Sequence, residues 1–451
     1  MPAILRVKPE EIDTIEKRGK YTVSVVGCRQ IGILYVTAFA EAGYKVICTD
    51  ADQSLVKSLA KGKTPFAERE AESKLRRFAR KGQLSATSDL KSAVSQSDIV
   101  ILTITAKIDS EKSPDYSEAE NSCKQIGAAL LRDTLIIYAG IAGFGFTEGV
   151  VKETLENASG LRVSEDFGLV YNPIHISKGQ VTGTISNQEL KVAAIDKTSL
   201  DAASTVLGAI TEKGVQKIFG IKTAEAATLF TVAKRDANVA LANELAIFCE
   251  NAGLDYFEIL KLLDPNLQEP HFSPTIAEED SRDGTYLLLE SAENLTTKLR
   301  LPALARQINE KMARHAVNLA QDALRSCGKT LRRARVALLG TAKPKTAAAT
   351  FVQMLGKKGA KVSLYDPSLS KNELVNMAHV HKRSLTEAAE GTDCIVILGE
   401  QDQFKRLNLK KLHAVMKTPA AIVDLTGIIE QQKVEKEGFI YRGLGRGAGK
   451  K

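Results

Sequence analysis

A turn-forming run, Gly27-Cys28-Arg29-Gln30-Ile31-Gly32, stands between a β-rich segment and a helical pattern. Glycines spaced in this way let a strand turn sharply into a helix, whose free N–H groups and positive end attract a pyrophosphate. The middle glycine of the usual triplet is Arg29 here, a side chain that either obstructs the phosphate or swings out and pairs with it. Asp50 ends the next β-rich segment, where an acid accepts hydrogen bonds from a ribose and favours NAD over NADP. The competing reading is a nucleotide-type fold kept for its architecture alone, and Arg29 is its main support. A second start of this kind, Gly340-Thr341-Ala342-Lys343-Pro344, lacks the later glycines. It makes a poor dinucleotide site, although Lys343 stands at a helix start where a nucleotide phosphate could meet it.

Other candidate chemistry is weaker. Gly328-Lys329-Thr330 imitates the end of a P-loop, but Ala323 replaces the first glycine and a helical pattern precedes it. His379 and His381 could share a strand face, with no third metal ligand nearby in sequence. The six cysteines include no C-x-x-C pair and read as reduced, mostly buried thiols.

The elements that must position these residues form an internal repeat. A β-rich run over 21–26 ends at Gly27, a helical pattern follows over 31–42, and a second strand pattern ends at Asp50. The same order recurs as a strand over 335–339 ending at Gly340, a helix over 346–358 and a strand ending at Asp366. Apolar runs over 97–102 and 134–138 correspond to 392–398 and 420–424. Such runs, alternating with helices, mark parallel strands covered on both faces. The fold class is therefore α/β, with two Rossmann-like, doubly wound parallel-sheet domains. They are joined by a long central helix over 223–251, with Gly253 as its C-cap, and a second long helix runs over 302–327. The expected divisions are an N-terminal extension (1–20), a first Rossmann domain (21–215), a helical middle (216–330), a second Rossmann-like domain (331–445) and a flexible basic tail (446–451).

Composition sets outer limits. No run of about 18 apolar residues predicts a membrane span, and the N-terminal 20 residues are too charged for a secretory signal, so the cytoplasm is the expected compartment. The net charge of +8 suits anionic partners. Its cations are spread among 54 acids, however, which argues against nucleic-acid binding.

In this order of parts the chain resembles the UDP-glucose/GDP-mannose dehydrogenase family, from about Tyr21 to Gly445, and within it the UDP-N-acetylmannosamine dehydrogenase branch. The resemblance is carried by Gly62-Lys63-Thr64-Pro65-Phe66, Glu165-Asp166-Phe167 with Tyr171-Asn172-Pro173, Lys222-Thr223-Ala224-Glu225-Ala226-Ala227 and the run Asn238 to Ala246. Ala305-Arg306-Gln307-Ile308-Asn309, Tyr365-Asp366-Pro367 and Gly399-Glu400 add to it. It implies NAD-dependent oxidation of a UDP-sugar C6 alcohol to a carboxylate in two hydride transfers, and a homodimer built on the central helix. It also implies cofactor contacts from Gly27, Arg29, Gln30, Ile31, Gly32, Asp50 and Thr105, and sugar-nucleotide contacts from Asn172, Asn243 and Lys343.

The chemistry that the resemblance implies is missing from its positions. The family glutamate after Asn-Pro is Ile174, the lysine after Ala-Glu is Thr228, and Val232 replaces a usual asparagine. In the best match to the cysteine motif, Glu269-Pro270-His271-Phe272-Ser273-Pro274, Phe272 takes the nucleophile's place. A Thr-Val-Pro-Pro-Gly-Thr-Thr loop of the family's NAD site is altered too, to Gly140-Ile141-Ala142-Gly143-Phe144-Gly145-Phe146-Thr147. Three functions remain open: a degenerate member without the oxidation, an active oxidoreductase using other residues such as His175 or His271, and an interaction protein for an anionic partner.

Overall fold

The computed structural model describes residues 3–67, 69–109, 111–174, 185–263, 272–276, 280–340, 346–367 and 380–447. The chain divides into two compact units, Met1–Thr231 with Tyr286–Thr297, and Val232–Thr285 with Lys298–Lys451.

The first unit is built on β1 (Thr22–Val26), β2 (Lys45–Thr49), β3 (Leu84–Thr87), β4 (Ile99–Leu102), a small hairpin of β5 (Lys107–Ile108) and β6 (Pro114–Asp115), β7 (Leu135–Tyr138), β8 (Gly168–Tyr171), β9 (Leu190–Ala194) and β10 (Val215–Ile218). The eight-stranded sheet runs β10-β9-β8-β7-β4-β1-β2-β3. Strands β4, β7 and β8 are buried at every residue, as their unbroken apolar runs require. The strand order reverses between β1 and β4, so the crevice lies outside their carboxyl ends. One departure from the expected parallel sheet is β9, which pairs antiparallel with β8. The alternation of β9, with Lys191 exposed between buried Leu190 and Val192, reads the same in either direction and carries no sign of strand polarity.

The helix after the glycine turn spans Gln30–Ala42, one residue earlier than its apolar spacing suggests, and ends at Gly43 in the left-handed region (φ 102°). The central helix spans Ile221–Ala252, 32 residues or about 48 Å. Gly253 (φ 73°) follows it.

The second unit carries β11 (Arg335–Leu339), β12 (Lys361–Tyr365), β13 (Val380–His381), β14 (Cys394–Ile397), β15 (Ala421–Asp424) and β16 (Ile440–Gly443). They form a parallel sheet in the order β13-β12-β11-β14-β15-β16. Apolar clusters cover both faces, one around Phe351, Val336 and Val396 and the other around Phe404, Ile397 and Ile422. The repeat read from the sequence is thus two Rossmann-like sheets.

Within this unit the long helix Arg300–Ser326 packs on the central helix through a buried polar network. Arg306 Nη1 donates to Asp236 Oδ1 at 2.6 Å. Asn309 donates to the same carboxylate at 2.8 Å and accepts from Asn243 Nδ2 at 2.9 Å. The Arg306 and Asp236 side chains are 5% and 0% exposed, so the pair is desolvated. Breaking a buried pair leaves a charge uncompensated. Arg306→Ala is expected to cost about 3–5 kcal/mol, read as a lowered urea midpoint in the transition of this unit. An unchanged midpoint would show that the pair does not hold these helices in register.

Candidate functional site

The first glycine turn is held by backbone demands. Gly27 sits at φ 88°, a conformation that L side chains rarely adopt. Gly32 faces it so closely that a β-carbon there would lie 2.1 Å from the Gly27 carbonyl oxygen. The Cys28 N–H donates to Asp50 Oδ2 at 3.0 Å, and the Asp52 N–H donates to Asp50 Oδ1 at 3.0 Å. Thr103, just past β4, donates its hydroxyl to the Val26 carbonyl at 3.0 Å and also to that of Gly27. Burial pushes the Cys28 thiol well up, with the neighbouring Cys48 adding to the effect, so Cys28 is an inert core group.

These residues fit a dinucleotide. Arg29 is the N-cap residue, and its side chain makes no capping hydrogen bond to the 13-residue helix behind it. The helix start therefore keeps its positive end, with Gln30 exposed and Ile31 half-buried. Each Asp50 oxygen has a second lone pair after its backbone bond, enough for ribose hydroxyls. Arg29 is exposed. The Asp52 carboxyl is held below its ordinary range chiefly by the Ser54 hydroxyl, with a smaller attraction from Arg29. Thr105 is half-buried, and its hydroxyl accepts from the Ile141 N–H at 3.4 Å, which ties the β4 loop to the altered 140–147 loop.

The 140–147 loop is clamped from the central helix. Glu225, 2% exposed, accepts the Gly145 N–H at 2.7 Å and the Thr147 N–H at 2.9 Å. Burial raises its pKa, while the bonds from Thr147 and Gly145 pull it back down. Ser291 accepts the Phe144 N–H at 3.0 Å, and the Tyr116 hydroxyl donates to Glu290 at 2.9 Å. Phe146 lies between Tyr116 and Tyr138, at centroid distances of 4.9 and 5.5 Å, and Tyr138 stacks on Tyr171 at 5.9 Å. This aromatic ladder did not emerge from sequence reading. The clamp had one visible signal, because Glu225 is the only acid between Lys222 and Asp236 in an Ala-rich helix.

The positions matched to catalytic groups are occupied by packing. Ile174 is 3% exposed within the apolar core of the first unit. Thr228 is 2% exposed; its hydroxyl donates back to the Ala224 carbonyl at 2.9 Å and meets the Tyr171 hydroxyl at 3.3 Å. Asn172 is fully buried, accepting from Tyr35 at 2.6 Å and donating to the Lys191 carbonyl at 2.6 Å. In the second unit Val232 packs against Gly284, where a β-carbon would come within 2.6 Å of it. Asn243 donates to Asn309 and accepts the Thr275 N–H at 2.9 Å. Phe272 belongs to a small cluster with Ala242, Cys249 and Tyr256, and its carbonyl accepts from the Tyr256 hydroxyl at 3.0 Å. Lys343, His175, His271 and His379 lie outside the described residues. Among the described residues, no group of three or more His, Cys, Asp or Glu could hold a metal, and no helix is long and apolar enough to cross a membrane.

Glu225→Gln keeps the shape of the clamp but turns an NH2 group towards one of the two backbone N–H donors. A loss of about 1–3 kcal/mol is expected, measured as a lower thermal midpoint. A midpoint matching the parent protein would show that the loop is held by something else.

Comparison with known proteins places this geometry. The NAD binding domain of the UDP-glucose/GDP-mannose dehydrogenase family matches residues 21–209, its central domain residues 222–311 and its UDP binding domain residues 344–431. The chain is 27% identical over 437 residues to a UDP-N-acetyl-D-mannosamine dehydrogenase of Pyrococcus horikoshii, covering 94% of this chain and 99% of that protein. It is 26% identical over 444 residues to a UDP-glucose 6-dehydrogenase of Rhizobium meliloti, with 94% and 99% covered. A solved UDP-N-acetylmannosamine dehydrogenase structure from Pyrococcus horikoshii superposes with a TM-score of 0.84 at 26% identity, covering 94% of this chain and 99% of that one. An NDP-N-acetyl-D-galactosaminuronic acid dehydrogenase from Methanosarcina mazei does so with 0.74 at 25% identity, covering 98% of each. With NAD-binding, central and UDP-binding domains all present in order, the chain belongs to the UDP-glucose/GDP-mannose dehydrogenase family.

Proposed function

We propose that this chain is a nucleotide-binding member of its family in which the oxidation of the sugar to a uronate is lost. The observation that carries the reading is the state of two positions. Ile174 is packed in a hydrocarbon core, and the Thr228 hydroxyl is bonded within its own helix. Neither side chain has a titratable group. A positioned acid or base is worth roughly 10²–10⁴-fold in rate, and a missing covalent nucleophile closes the route from aldehyde to acid.

Retained binding is supported by the parts that face a cofactor. The helix start at Gln30 presents N–H groups to a pyrophosphate, Asp50 holds lone pairs for a ribose, and Arg29 adds an exposed cation at the N-cap. NAD bound there would supply a hydride acceptor, and in this reading no residue of the chain removes the proton that must leave with the hydride. The nucleotide sugar falls to the second sheet. UDP-N-acetylmannosamine and UDP-glucose are the substrates to try first, since the similar dehydrogenases are named for them.

The test combines binding with turnover. NAD and UDP-sugars at millimolar concentration should raise the thermal midpoint, while a UDP-sugar panel with NAD should give no sustained rise in NADH absorbance. Turnover on any member of the panel would overturn the loss of oxidation, and the absence of any midpoint shift would overturn the binding. Ile174→Glu should not restore activity. It should instead destabilise the fold by a few kcal/mol, because a carboxyl would enter an apolar core without a partner.

A homodimer through the central helix is part of the same proposal. Leu241, Leu245 and Phe248 recur at spacings of four and three on this helix and are 57%, 45% and 63% exposed. Such a stripe suits a second copy of the chain. Leu241→Asp with Phe248→Asp should convert a dimer into a monomer by light scattering. A monomeric parent protein, or a dimeric double variant, would count against it.

A further inference from the structure

We infer that Arg446, beyond the matched UDP binding domain, is a positioning residue that fixes one wall of the second sheet's nucleotide crevice; this rests on the nucleotide binding proposed above. In that sheet the strand order reverses between β11 and β14. Their carboxyl ends nearly touch, since a β-carbon on Gly340 would lie 2.5 Å from the Gly399 nitrogen. Ligands of open parallel sheets bind outside such a point. The loop after β15, next to β14, is therefore a wall of the crevice.

That loop is held through both kinds of backbone group. The buried Asp424 takes its N–H groups. Oδ1 accepts from Thr426 and Gly427 at 3.0 and 2.9 Å, and Oδ2 accepts from Ile429 at 2.9 Å. Arg446 takes its carbonyls, donating to Gly427 at 3.0 Å and to Ile429. The Tyr441 hydroxyl joins the two charges, accepting from Arg446 at 3.0 Å and donating to Asp424 at 3.4 Å. The guanidinium lies 5.2 Å from the Phe257 ring centroid and 3.3 Å from Asp255. Phe257 in turn fills the space over Gly427, where a β-carbon would come within 2.2 Å of the ring.

The tail that delivers Arg446 is docked, not loose. The Gly445 N–H donates to Glu250 at 2.8 Å, its carbonyl accepts from Tyr256, and the Gly447 N–H donates to the Leu254 carbonyl. Gly447 passes so near the end of the central helix that a β-carbon would lie 2.4 Å from the Gly253 α-carbon. The matched UDP binding domain ends at residue 431, so the latch comes from sequence outside it. The sequence reading of a flexible basic end therefore fails through Gly447, because a Gly-Arg-Gly run also suits a chain threading a crowded corner.

The experiment uses the full chain with Arg446→Gln and Arg446→Lys, and uridine 5′-diphosphate as the probe. Calorimetry should show about tenfold weaker binding for Arg446→Gln, with Arg446→Lys in between. Hydrogen exchange without ligand should show faster exchange of the Thr426–Ile429 amides in Arg446→Gln, with Arg446→Lys in between. Equal affinity in Arg446→Gln and the parent protein would overturn the inference, as would unchanged exchange at these amides. If the parent protein fails to bind the probe, the nucleotide reading of this sheet falls. The exchange experiment then decides the latch by itself, and Arg446→Lys serves if Arg446→Gln does not fold.

Discussion

The closeness of Gly32 to the Gly27 carbonyl governs the first sheet. With 2.1 Å between that oxygen and any β-carbon at position 32, the helix Gln30–Ala42 rests on the turn backbone to backbone. That contact aims the helix start at the crevice and lets Thr103 close over the turn. It leaves Asp50 to tie off the Cys28 N–H. None of these bonds needs a ligand. They satisfy buried backbone groups that would otherwise be orphaned.

This separates two kinds of constraint. Gly27, Gly32, Asp50 and Glu225 each serve the fold as well as any ligand, so replacing them costs stability. A glutamate at 174 or a lysine at 228 would serve only the reaction and would have to be desolvated to do so. Isoleucine and threonine at those sites fit the core and the helix, which is what a chain released from the chemistry would favour. The proposed loss of oxidation, alongside a glycine turn that the fold itself requires, follows from this asymmetry.

Much of the architecture was legible in the sequence, because burial on both faces and helical spacing are written directly into residue type. The two strand–glycine–helix starts, both long helices to within two residues, and the doubling of the sheet were visible this way. The reversal of β9 was not, since the alternation of side chains along a strand carries no direction. Glu225 stood out as a lone acid, but its partner loop some 80 residues earlier did not, nor did the inward-turned amide of Asn172 or the docking of Arg446. Each is a long-range pairing that residue type alone does not announce.

The central question for this chain is whether it can move a hydride from a sugar at all. The most direct measurement is a single-turnover mixing experiment with the protein in excess over a UDP-sugar and saturating NAD, followed at the NADH absorbance. A flat trace, with binding of both ligands verified in the same sample, is the predicted result. A burst approaching one NADH per sugar would contradict it, and would show that another group removes the proton that Ile174 and Thr228 cannot.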